Sequence, residues 1–206
     1  KVLGPVDSAN NGLYDIEIPT ELGGCTVTGL GEYSFSGTYS PDHRTNHNLI
    51  SFCNQIQSVT IPESVTSIGQ SAFEACFSLD SLIIKDAATS IGASAFDGCS
   101  HLTTLSLGKN ITTIGDYAFQ GCSYLTNVTI PQSVTSIGAS AFVNCSNLST
   151  ITIPEKVTTI ESNTFNGCSH LESIMLPAGL TSFEDELTDC SPECVIYYNN
   201  DEDHAK

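Results

Sequence analysis

The sequence predicts a β-rich solenoid: short coils of 23 residues stacked into one rod, with a parallel sheet along one face. Three observations predict it. Cys76, Cys99, Cys122, Cys145 and Cys168 are each 23 residues apart, and so are Phe73, Phe96, Phe119, Phe142 and Phe165, and Leu79, Leu102, Leu125, Leu148 and Leu171. Within each unit the apolar residues end in period-two alternation, as at Leu125, Val128 and Ile130, which is a strand pattern. Proline and glycine return at fixed offsets between these segments. A fixed period of about 20 to 29 residues means stacked units, none of which can bury its apolar side alone.

The elements follow in chain order. Residues 1–37 form an amino-terminal cap and a degenerate first repeat, with an irregular lead-in to residue 15 and Ile16, Ile18, Val27, Leu30 and Phe35 toward the core. Residues 38–52 are an inserted loop containing TYSPDHRTNHN, rich in turn formers. Regular units occupy 53–182. In each, a strand ends at a proline (Pro62, Pro131, Pro154, Pro177), because proline supplies no ladder donor. A short extended edge follows (Val65/Ile68, Ile111/Ile114, Val134/Ile137, Val157/Ile160). Gly69, Gly92, Gly115 and Gly138 then suit a corner with positive φ; Glu161 stands there in one unit. The A-F-x-x-C stretch is expected to turn back as a single helical or 3₁₀ turn. Residues 183–206 form a carboxy-terminal cap with an acidic tail. Eight strand-like segments, the last being Val195–Tyr198, imply a rod of about 34 Å at the usual strand spacing.

Composition narrows the function. Six Lys+Arg stand against 23 Asp+Glu, for a formal net charge of −17. Phosphate neutralisation needs clustered cations, so no nucleic-acid partner is expected. No run of about 18 apolar residues is available to span a membrane. There is no G-x-S-x-G, P-loop or G-x-G-x-x-G, and hence no catalytic constellation or cofactor site to name.

The recurring unit I-G-x-x-A-F-x-x-C-x-x-L-x-x-[LIV]-x-[IL]-P-x-x-V-T-x, over residues 45–182, resembles the BspA-type leucine-rich repeat family of bacterial and protist surface proteins. The resemblance implies a right-handed leucine-rich-repeat solenoid and an extracellular or cell-surface location. It also implies a non-catalytic role in adhesion to host or microbial surfaces, extracellular-matrix proteins included. It supplies no catalytic residue. This chain departs from the general repeat at Ser64, Ala87, Asn110, Ser133 and Lys156, so no asparagine ladder is expected.

Three residue sets carry possible chemistry, each with a plainer reading. Six cysteines from Cys53 to Cys168 stack at one rung position, open to redox or metal chemistry; the plainer reading is small buried side chains whose sulfurs do not face one another. Cys190 and Cys194, in the irregular cap, have a spacing that allows a small disulfide loop, and the sequence leaves open whether they pair or stay free. His43 and His47 make an i,i+4 pair, but Pro41 and the Asn-rich context place them in a loop with no third ligand signalled. The tail acids, Asp185 among them, could collect Ca²⁺, but no EF-hand or glycine-aspartate nonapeptide spacing is present, and they read as a solvated face. His101 and His170 share their slot with Ser78, Tyr124 and Asn147, so it reads as a surface turn.

Alternation aims one set of side chains outward from the sheet. The candidate binding residues are Thr104, Ser106, Asn127, Thr129, Thr150, Thr152 and Met175, a small, polar and nearly uncharged face without an aromatic anchor. The expected protein is a monomeric module, binding protein or glycan partners; the competing readings are a spacer within a larger surface protein and a thiol- or metal-dependent enzyme. Asn110, Asn127, Asn144 and Asn147 head sequons, relevant only where the source glycosylates.

Overall fold

A computed structural model describes residues 13–22, 24–36, 53–185, 187 and 189–199. The expected loop at 38–52, with His43 and His47, and the acids at 201–203 lie outside the described residues. What is described is a stack of coils with three backbone rows. In the front row, strands Tyr14–Glu17, Ile56–Ile61, Ser81–Ile84 and Thr104–Ser106 pair in parallel in that order. Thr150–Thr152, Ser173–Leu176 and Val195–Tyr198 form a second parallel set. The lead-in therefore ends earlier than expected, since Tyr14 is already in the sheet.

The second row consists of two-residue strands. Gly29–Leu30, Ser67–Ile68, Ser90–Ile91, Thr113–Ile114 and Ser136–Ile137 pair successively, and Thr159–Ile160 pairs with Ser182–Phe183. The threonine before each such strand adds a side-chain rung. Oγ1 of Thr66, Thr89, Thr112 and Thr135 donates to the carbonyl of Thr28, Thr66, Thr89 and Thr112 respectively, at 2.9 to 3.2 Å. The turn between the two rows closes on the proline carbonyl, as in Val134 N–H to Pro131 O at 3.0 Å. A proline there needs no N–H of its own, and Lys85 and Gly108 accept the same bond in the two units that lack it.

The third row, A-F-x-x-C, corrects the helical or 3₁₀ expectation. It does make i→i−3 bonds (Asp97 to Ser94, Cys99 to Phe96). However, Ser94, Tyr117 and Ser140 have φ between 52° and 57°, and Gly98 and Gly121 have φ of 72° and 67°. Left-handed residues break a helix into separate turns. The alternate N–H groups then reach the next coil: Ser94, Phe96 and Gly98 donate to Asp116, Ala118 and Gln120 at 2.7 to 2.9 Å.

The corner glycines are also corrected. None of Gly69, Gly92, Gly115 and Gly138 has positive φ. They are needed because coils touch there: a Cβ on Gly92 would stand 2.7 Å from the backbone of Gly69 and Gln70, and one on Gly115 2.6 Å from Ala93 N. That is far inside van der Waals contact, with backbone that cannot swing aside. Positive φ falls instead two residues later and again just before the cysteine.

Side chains at equal positions fill the interior. Phe35, Phe73, Phe96, Phe119, Phe142 and Phe165 form a column with neighbouring ring centroids 4.9 to 6.1 Å apart. The widest step, Phe142 to Phe165, belongs to the unit where Glu161 stands in the glycine slot. Leu79, Leu102, Leu125, Leu148 and Leu171 are fully buried beside the rings. The phenylalanine column ends on an acid: Asp185 is 6% exposed, and its carboxylate accepts the Phe165 N–H at 2.6 Å and the Leu187 N–H at 2.8 Å. It stands in for the carbonyl that a further regular coil would offer Phe165. Asp185 is thus a buried cap, where the sequence placed it on a solvated face.

Phe119 sits mid-column between Phe96 and Phe142. Phe119→Ala is expected to lower unfolding free energy by about 3–5 kcal/mol, measured by urea denaturation. His101→Ala, at an exposed position, is expected to stay within about 0.5 kcal/mol of wild type.

Candidate functional site

The sheet-face candidates occupy neighbouring rungs, as alternation requires. Thr104, Ser106, Asn127, Thr129, Thr150 and Thr152 are all exposed, while Met175 is half-buried. Thr152 pairs with Met175, and Asn127 touches Thr150 through an isolated bridge. Continuity is not complete: among the described residues no strand pairing joins Thr104–Ser106 to the coil of Asn127–Thr129. Leu105 and Leu107 beside this split are half-buried, where the alternation predicts full burial. The split falls where the last Pro-free unit, with Gly108, meets the first of three successive Pro units, with Pro131.

The face also extends further than the candidate set. Asp15 and Glu17 pair opposite Ser58 and Thr60, so they point outward at the amino-terminal end. Ser58 Oγ donates to Asp15 Oδ1 at 2.5 Å. At the other end Tyr197 lies beside Met175, which supplies the aromatic that the face was expected to lack. The alternation in Val195–Tyr198 was the signal for it. A cleft of about 270 Å³ opens at the amino-terminal end over Ile16, Ile18, Leu22, Val27, Leu30 and Phe35, and Asp15 and Glu17 also line it; it is the open mouth of the core where it meets the end of the face.

The cysteines have a structural task that repetition alone did not reveal. Sγ of Cys99, Cys122, Cys145 and Cys168 lies 3.2 to 3.5 Å from the carbonyl oxygen of the preceding unit's phenylalanine. Cys190 continues the ladder, with its thiol 2.9 Å from Phe165 O. Donation needs the S–H form, and burial also favours it. Burial pushes Cys145 up to about 12 and Cys190 up to about 11, and raises Cys99, Cys122 and Cys168 well above the ordinary range. These thiols are poor nucleophiles and poor metal ligands. One cysteine expectation is corrected: Cys53 and Cys76, with Cα atoms 5.0 Å apart, form a disulfide between successive coils. Cys190 and Cys194, whose pairing the sequence left open, are both free thiols.

The pattern of coils matches a known family. The family model described as BspA type Leucine rich repeat region matches in six copies, over residues 9–103, 43–122 and 89–193. The chain belongs to the BspA-type leucine-rich repeat family. This BspA-type chain is similar to a leucine-rich repeat protein from Bacteroides ovatus, at 28% identity and a TM-score of 0.68, over 89% of this chain and 48% of that one. It therefore spans about half the length of that relative. It is also similar to the leucine-rich repeat protein TpLRR of T. pallidum, at 26% identity and a TM-score of 0.57, over 68% of this chain and 72% of that one. No curated protein is found to match. A BspA-type repeat protein of this kind is consistent with a module for binding.

One acid in this BspA-type stack is tuned. Asp97 is pushed up to about 6, by burial first and then by the charge of Glu74, against a hydrogen bond from Gln120 Nε2 to Oδ2 at 3.2 Å. The ordinary aspartate value is near 3.9. Between about pH 4 and 6 the unfolded chain therefore ionises while the folded one resists, and folding weakens as pH rises, with the full penalty above 6. Asp97→Asn is expected to raise the melting temperature at pH 7 and leave it unchanged at pH 4; an equal gain at both would refute this origin.

The thiols give a second check. Under native conditions an alkylating reagent is expected to label exposed Cys25 and leave Cys99, Cys122, Cys145 and Cys168 untouched until urea unfolds the chain, as read by peptide mass spectrometry.

Proposed function

We propose that this chain is a non-catalytic, cell-surface or secreted module that binds protein partners through its sheet face, in adhesion to host or microbial surfaces. The observation that carries the reading is the row of exposed, uncharged side chains from Thr104 to Thr152, held on a rigid stack. Met175 and Tyr197 at one end supply apolar area, and Asp15 and Glu17 at the other supply charge. Membership of the BspA-type family supports surface display. The burial and carbonyl bonding of the thiols weigh against cysteine chemistry. A face of small side chains makes weak contacts, which gain strength when many copies act together. The alternative, a spacer within a larger protein, draws on the match to half of a longer relative.

The test is capture of the purified chain on immobilised extracellular-matrix proteins. Saturable binding is expected, with Asn127→Arg/Thr152→Arg weakening it at least tenfold at an unchanged melting temperature. No binding above a charge-matched control, or binding indifferent to both arginines, would favour the spacer.

A further inference from the structure

A second surface lies on the turn row, away from the sheet. Phe77 and Tyr124 are 48% and 53% exposed, among the largest exposed apolar side chains of the chain. They are not scattered. The His101 and Tyr124 rings stack at 5.2 Å and 14°, and His101 Nδ1 lies 2.7 Å from the carbonyl oxygen of Phe77. The Phe77 ring in turn borders Gly98 of the next coil. A carbonyl only accepts, so Nδ1 carries a proton and donates, and Nε2 lies outside that bond.

The row continues with the same anchoring. Asn147 Nδ2 donates to Ser123 O at 2.7 Å, and His170 Nδ1 to Ser146 O at 2.7 Å. Each side chain is tied to the preceding coil by one polar atom, which leaves its other polar atom for a ligand. The result is a pre-oriented strip of two exposed rings, imidazole nitrogens and an amide, one rung apart. Such fixing lowers the ordering cost of binding.

We infer that this strip, Phe77–His101–Tyr124–Asn147, is a binding site for a neutral oligosaccharide. Two observations select that ligand. The main-chain carbonyls of Ser123 and Ser146 each already accept two side-chain bonds, so an added peptide strand finds these acceptors taken. The two positions that build the strip carry no formal charge in any unit from Phe77 to His170, in a chain of net charge −17. Anionic partners are repelled by the molecule as a whole, and a cationic partner finds no carboxylate at these two positions to pair with. Exposed ring faces and edges with fixed donors and acceptors suit a ligand that is apolar on its C–H side and hydroxylated at its rim. The site stands independently of the sheet-face reading.

Other units supply variants that the fold already tolerates: Phe77→Ser copies Ser100, and Tyr124→Asn copies Asn147. The experiment probes the intact chain with an array of neutral, sialylated and sulfated oligosaccharides, then titrates the strongest neutral ligand. Binding to neutral glycans is expected, at least tenfold weaker in Phe77→Ser and in Tyr124→Asn at unchanged melting temperature, and unaltered in Asn127→Arg/Thr152→Arg. The proposal is overturned if no oligosaccharide binds, if only the acidic ones bind, or if binding survives both strip variants. Loss in the sheet-face variant alone would also overturn it, by moving the glycan site to the sheet.

Discussion

The spacing between coils governs this molecule. Neighbouring backbones must come close enough to share hydrogen bonds, and the Cα atoms of Cys53 and Cys76 are 5.0 Å apart. At that distance every atom in one coil meets its own counterpart in the next. Flat rings satisfy the rule by stacking, as the phenylalanine column does. Hydroxyls satisfy it by donating to the carbonyl one coil back, as do the threonines of the second row and Ser123, Ser146 and Ser169 of the turn row. A Cβ at the corner cannot satisfy it, so glycine stands there. The 23-residue motif is thus a list of side chains that can lie against copies of themselves.

That constraint explains what could be read in advance. A column of Phe73 to Phe165 and a leucine core follow from period and apolarity alone. The chemistry at polar repeat positions was harder to read. A recurrent glycine is compatible with positive φ or with a crowded Cβ, and only coordinates distinguish Gly92, which is crowded, from Gly98, which is left-handed. A recurrent cysteine looks like a small apolar filler until its sulfur is seen against the Phe carbonyl. Asp185 had no chance of being singled out, because its role depends on the absence of a regular carbonyl beyond Phe165. The split beside Leu105 was equally hidden, since Asn127–Ile130 has the same alternation as the strands that do pair.

The two faces of the rod differ in kind. On the sheet face the backbone is consumed by the ladder and the side chains are short, so contact there is broad and shallow. On the turn edge the positions nearest solvent vary from coil to coil, from Ser78 through His101 and Tyr124 to Asn147. Variation is tolerated because these side chains lie outside the core of the stack and are tied to it only at its surface. The scaffold thereby separates what must repeat from what is free to differ.

The hydrogen bonds have a direction. Threonine, serine and cysteine donors reach back to carbonyls made earlier in the chain, whereas alternate N–H groups of the third row, those of Ser94, Phe96 and Gly98 among them, reach ahead to residues about 22 positions later. A chain leaving the ribosome therefore meets most of its side-chain acceptors as soon as each coil emerges, and it can wind up in the order of its synthesis. Each newly wound coil still holds out unanswered third-row donors to whatever follows. Translation itself finishes the previous layer, and at Phe165 a carboxylate answers in place of the carbonyl.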